Sequence, residues 1–119
     1  METTNRRQKT PFGEYLVEQI REAGMSQEEF YNEIGIKKPY FYDLLTASPP
    51  PSDLQNRMLS VLDTKTGTNT ERRNKFYDLA AESRGEIPAD IASLITEHPD
   101  KLNEIRKMLA TLCNTNTRR

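Results

Sequence analysis

The residues best suited to recognition chemistry lie between positions 37 and 43, which read Lys-Lys-Pro-Tyr-Phe-Tyr-Asp. Lysine pairs with phosphate or donates to guanine acceptors, tyrosine hydroxyls bond phosphate oxygens, and aspartate accepts from a cytosine amino group. The ingredients of catalysis are sparse by comparison. His98 is the only histidine and Cys113 the only cysteine, so neither a metal site of usual spacing nor a Cys-His pair can be assembled. Glu28/Glu29 and Glu82/Glu86 fall on polar helix faces, where solvated charge is expected rather than an acid/base pair. No phosphate-binding glycine loop or dinucleotide fingerprint is present. A non-enzymatic chain that needs no cofactor is expected.

The elements that must position these groups are helices. Phe12, Tyr15, Leu16, Ile20 and Ala23 recur at three- and four-residue steps, and Gly24 supplies a stop. Met25-Ser26-Gln27-Glu28-Glu29-Phe30 combines a capping box, Ser26 with Glu29, and a hydrophobic staple, Met25 with Phe30. It predicts a helix from Gln27 to about Ile34, ended by Gly35. The next begins near Lys38, with Pro39 in its first turn, and reaches about Leu45. After the stiff TASPPP, Ser52 and Gln55 offer a second capping box, opening a helix whose apolar positions are Leu54, Met58, Leu59, Val61 and Leu62. DTKTGTNT reads as a linker. Beyond it, Phe76, Leu79 and Ala80 share a face, Gly85 ends that helix, and Ile91, Leu94 and Ile95 mark another. Pro99 restarts the chain before Leu102, Ile105, Leu109 and Leu112, and the terminal NTNTRR is expected to fray. The reading is all-α, with about seven helices.

Three consecutive helical aromatics point ~100° apart, so one buried stripe cannot hold Tyr40, Phe41 and Tyr42 together. With Phe41 inward, Leu44 and Leu45 fall within ~60° of it, and Ile34 and Ile36 complete the core. Pro39 and Asp43 then point outward, flanked by Tyr40 and Tyr42, with Lys37 and Lys38 at the leading end. Gln27, in the first turn of the preceding helix, can meet phosphate with its amide beside the helix-terminal N–H groups.

Residues 12–62 resemble the lambda-repressor-like, or XRE, helix-turn-helix regulators. The matching stretch is MSQEEFYNEIGIKKPYFYDLL, followed by the Ser52–Leu62 helix. Ser26-Gln27-Glu28-Glu29 takes the place of the capped helix start, Gly35-Ile36 that of the turn, and Phe41/Leu44 that of the recognition helix's anchor. The resemblance implies double-stranded DNA as partner, with Gln27 as the phosphate-contacting glutamine. It makes Lys37, Lys38, Pro39, Tyr40 and Asp43 the base- and backbone-reading positions, with Tyr42 at their edge. Pro39 and Asp43 replace donor-rich residues often found there, and TASPPPS replaces a short polar loop. The downstream ERRNKFYDLAAESRGEIPADIASLI also looks like the C-terminal extension of a subset of these regulators, implying a helical accessory region that dimerises or packs back. The implied layout is a basic arm at 1–11, a helix-turn-helix domain at 12–63, a linker at 64–70, a helical accessory region at 71–112 and a flexible tail at 113–119.

Bulk charge adds no pull toward an anionic partner. The 119 residues carry a formal net charge of −1; residues 1–63 hold seven Lys/Arg against ten Asp/Glu, net −3, and residues 64–119 ten against eight, net +2. Any nucleic-acid binding must come from local placement. Arg6, Arg7 and Lys9 form a small basic arm that either follows a DNA groove or remains a solvated terminus. The stripe of Leu102, Ile105, Leu109 and Leu112 spans under two heptads, so it serves as either a dimer seam or intramolecular core. A homodimer on a palindromic operator is expected, because one small reading helix supplies little affinity. The acidic first half and Asp43 keep open a different role, a protein-binding module such as an antitoxin or adaptor. No apolar run approaches the ~18–20 residues that span a bilayer, and a cytoplasmic protein is expected.

Overall fold

Thr10 caps the first helix, α1 (Pro11–Glu22): its hydroxyl accepts the Gly13 amide at 3.0 Å, and Pro11 sits in the first turn, where no amide hydrogen is needed. The computed structural model describes residues 8–117, with side chains through 114. The capping box predicted for α2 (Gln27–Ile34) forms in full, with Ser26 Oγ accepting the Glu29 amide at 3.0 Å and Glu29 Oε1 accepting the Ser26 amide at 2.9 Å. Then come α3 (Lys38–Thr46), α4 (Ser52–Thr66), α5 (Thr70–Arg84), α6 (Ala89–Thr96), a single 3-10 turn at Pro99–Lys101 and α7 (Leu102–Thr117). Among the described residues the architecture is all-α, without strands.

Two compact units divide the chain, Met1–Pro88 and Ala89–Arg119. The first has a closed apolar core. Phe12, Leu16 and Ile20 of α1, Phe30 and Ile34 of α2, Phe41, Leu44 and Leu45 of α3, and Leu54, Met58, Leu59 and Leu62 of α4 are all buried. Helix α5 belongs to this core, adding Phe76, Tyr77, Ala80 and Ala81. The Phe76 ring meets Phe12 edge-on at 5.1 Å between centroids, a favoured aromatic geometry, and the Tyr77 hydroxyl donates to Asn56 Oδ1.

Several boundaries differ from the sequence reading. The stretch expected as a linker at 64–70 continues α4 to Thr66, leaving only residues 67–69 between helices. Arg72 closes this corner: it is buried, donates to Thr66 Oγ1 and the Gly67 carbonyl at 2.7 Å each, and pairs with Asp63. A buried guanidinium needs such partners to offset its lost hydration. The first unit therefore runs through α5, and the second starts at 89 rather than 71. Ser52 and Gln55 form no capping box. Pro51 stands at the cap, and the Gln55 side chain turns inward to donate to the Pro50 carbonyl at 2.8 Å. Leu79 and Val61 are only half-buried, whereas Tyr77, not assigned to the core from sequence, is buried. Helix α7 runs past Leu112 to Thr117, so the expected tail begins as helix.

Gly13 is the tightest contact in the first unit. A Cβ built there would lie 2.8 Å from the Leu45 carbonyl carbon and 2.9 Å from its Cα, so only glycine lets α1 cross the end of α3 this closely. The Thr10 amide and hydroxyl both donate to the Leu45 carbonyl, at 3.0 and 3.3 Å, and tie α1 to the C-terminal end of α3.

Candidate nucleic-acid interface

The candidate interface is built on α2 and α3, joined by the three residues Gly35, Ile36 and Lys37. Gly35 adopts φ +83° and ψ 31°, the left-handed conformation that L side chains resist, and its amide closes onto the Tyr31 and Asn32 carbonyls. Arg57 of α4 reaches across and donates to the Ile34 carbonyl, satisfying one of the helix-end acceptors. The turn is thus fixed by backbone chirality on one side and a guanidinium on the other.

Phe41 is the pivot of α3. It is buried, its ring centroid lies 5.3 Å from that of Tyr31 and 6.2 Å from that of Phe30, and Leu44 and Leu45 lie on the same inward face. Locking Phe41 inward forces its neighbours out. Tyr40 and Tyr42 are 43% and 36% exposed, and Lys37, Lys38, Pro39 and Asp43 are exposed as well. Gln27, exposed at the start of α2, lines a groove of about 490 Å³ together with Glu28, Lys38, Pro39 and Tyr42. Its floor is Phe41 and Leu45. Four of the seven residues singled out from sequence therefore share one groove, and Lys37, Tyr40 and Asp43 sit on the exposed surface of the same helix pair.

The chemistry of this surface is mixed. Lys37 and Lys38 give two ammonium donors at the start of α3; the tyrosines give hydroxyls on apolar rings, and Pro39 a rigid apolar contact. Glu28 faces the same groove and was not assigned there by the sequence reading; it lies one residue from Gln27 at the helix start, and that adjacency was the available signal. Arg57 was also missed, since its partner lies 23 residues away with no local pattern between them.

The other candidates lie elsewhere. Lys9 is exposed ahead of α1, while Arg6 and Arg7 fall outside the described residues. On α7, Leu102, Leu109 and Leu112 are exposed and Ile105 is half-buried. His98 binds locally, with Nδ1 2.7 Å from the Leu94 carbonyl, and Cys113 is exposed and unpaired in any disulfide. Among the described residues no group of three His, Cys, Asp or Glu side chains can hold a metal ion, and no helix is long and apolar enough to cross a membrane.

No match was found when the chain was compared with protein-family models, with curated proteins and with solved structures.

Proposed function

We propose that this chain is a double-stranded-DNA-binding transcriptional regulator of the lambda-repressor-like kind, using α2 and α3 as its helix-turn-helix and acting as a homodimer on a palindromic operator. One observation carries the reading: Phe41 is buried against Tyr31 and Phe30 while Lys37, Lys38, Pro39, Tyr40, Tyr42 and Asp43 are all exposed. A helix held by one aromatic and presenting cations, hydroxyls and a small rigid residue has the composition needed in a major groove. In this mechanism Gln27, Lys37 and Tyr42 hold phosphates and fix the register. Lys38, Pro39, Tyr40 and Asp43 face base edges, with Asp43 accepting from a cytosine amino group. Occupying the operator excludes polymerase sterically, which makes repression the simplest output.

Titration of duplex pooled from genomic fragments, at two salt concentrations, tests this. Binding should weaken steeply with salt, since each neutralised phosphate releases condensed counterions. Lys38→Ala should cost ~1–3 kcal/mol of operator affinity if the lysine reads a base. An unchanged footprint and affinity would remove Lys38 from the interface.

A second reading has its own support. Glu28 lies in the same groove as Gln27 and Lys38, and residues 1–63 carry net −3. Both features oppose a polyanion and suit a protein-binding module, such as an antitoxin or adaptor built on the same helices. Co-purification with a second protein, together with no salt-sensitive duplex binding, would favour it.

A further inference from the structure

We propose that the second unit, α6 with α7, is where two copies of this chain pair, and that its helices are stable only in the pair. The proposal deepens the function above, which calls for two reading heads, but it draws on the second unit alone.

Among its described residues the unit has no interior. Of residues 89–114, none is buried; Ala89, Asp90, Ala92, Ser93, Ile95 and Ile105 are half-covered and the rest are exposed. Helix α6 has 8 residues, below the ~12–15 under which an isolated helix is marginal in water, and the 16 of α7 only just exceed that length. Structures this small ordinarily depend on disulfides, metals or association. Cys113 forms no disulfide, and no metal-holding group occurs among the described residues. Association with a second copy would supply the cover the unit lacks.

The uncovered surface is apolar and continuous along each helix. On α7, Leu102, Ile105, Met108, Leu109 and Leu112 fall within an arc of ~120° by helical geometry, and on α6 Ile91, Leu94 and Ile95 fall within ~100°. Ile91, Leu94, Leu102, Met108, Leu109 and Leu112 are each between 40% and 72% exposed. At the roughly 60–120 Å² of apolar area implied by the transfer free energy of one such side chain, these six leave about 200–400 Å² uncovered per copy. Two copies facing one another would bury twice that, the apolar share of an interface of roughly 1,000 Å², about the size a specific association needs.

Charge favours a second copy over a charged partner. Residues 89–119 carry Asp90, Glu97, Asp100 and Glu104 against Lys101, Arg106, Lys107, Arg118 and Arg119, four to five. A surface this balanced offers no field to a strongly acidic or basic partner, and it does not drive like copies apart. A two-fold pair, the commonest closed assembly, brings the same face together twice and covers both. Met108, Ile91 and Leu94 thus join the Leu102/Ile105/Leu109/Leu112 stripe in one interface.

The test uses the full chain without DNA. Sedimentation across micromolar to submillimolar concentrations should show a monomer–dimer equilibrium. Leu94→Asp and Leu109→Asp should each weaken it at least ~30-fold, as expected for a central anchor. Leu109→Met, which keeps volume and polarity, should leave it near the wild-type value. Amide hydrogen exchange supplies the second readout: in the monomeric variants α6 and α7 should lose protection while α1 and α5 keep theirs. Three results would overturn the proposal: a wild-type chain that stays monomeric throughout, a dimer indifferent to both aspartates, or protected α6 and α7 amides in a monomer. A chain that pairs but ignores duplex would refute the proposed function and leave this interface standing. One that binds duplex as a monomer would refute this interface and the homodimer of the proposed function, and leave DNA recognition by α2 and α3 standing.

Discussion

Replacing Gly13 with alanine separates two effects that ordinarily coincide. Gly13 occupies the third position of α1, where alanine's better helix propensity alone would stabilise the fold by ~0.5–1 kcal/mol. The structure opposes this with a steric term. The added methyl would stand 2.8 Å from the Leu45 carbonyl carbon, against backbone that cannot rotate away as a side chain would. Relief requires α1 and the end of α3 to separate, which strains the packing by ~1–3 kcal/mol. It also stretches the two Thr10 hydrogen bonds to Leu45, worth ~0.5–1.5 kcal/mol each. The steric term wins: Gly13→Ala should lose ~1–3 kcal/mol by urea unfolding. Gly24→Ala, at a left-handed glycine with nothing within 4 Å of the new methyl, is the control for backbone strain without crowding. A Gly13→Ala chain more stable than wild type would refute the close approach of α1 to α3. It would also remove the anchor that fixes where α3 points.

Further expectations follow from the same packing. Phe76→Ala removes a fully buried ring and its edge contact with Phe12, so it should cost ~3–5 kcal/mol. That is a large share of the ~4–13 kcal/mol typical of a unit this size, and a loss under 1 kcal/mol in urea unfolding would place α5 outside the first core. Ser26→Ala breaks the capping box and should lower stability by ~0.5–2 kcal/mol, read from the thermal midpoint. An unchanged midpoint would mean that the α2 start is held by packing alone.

The legible parts of the fold were those encoded within a few residues. The Ser26/Glu29 box, the Gly35 stop and the inward Phe41/Leu44/Leu45 face each depend on spacing along one helix, and the structure reproduces them. Composition misled where a distant side chain decides. DTKTGTNT is rich in turn-formers, yet Arg72 from the next helix binds Asp63, Thr66 and the Gly67 carbonyl and carries α4 three residues further. Ser52/Gln55 has capping-box spacing, but the Pro50 carbonyl claims the glutamine first. Gly13 carries no local signature, because its reason lies 32 residues away at Leu45. At the candidate interface the outward residues were legible from the 3.6-residue repeat. Glu28's place in the groove had only its adjacency to Gln27 as a signal, because the groove itself depends on the angle between two helices.

The most direct test of the central claim is the salt dependence of duplex binding in wild type and in Lys37→Ala. If α3 meets DNA with its leading end, log K should fall linearly with log salt in both, and the variant's slope should be shallower by about 1, the loss of one phosphate contact. Equal slopes would place Lys37 off the phosphates. Duplex affinity that does not respond to salt would contradict DNA recognition by this surface.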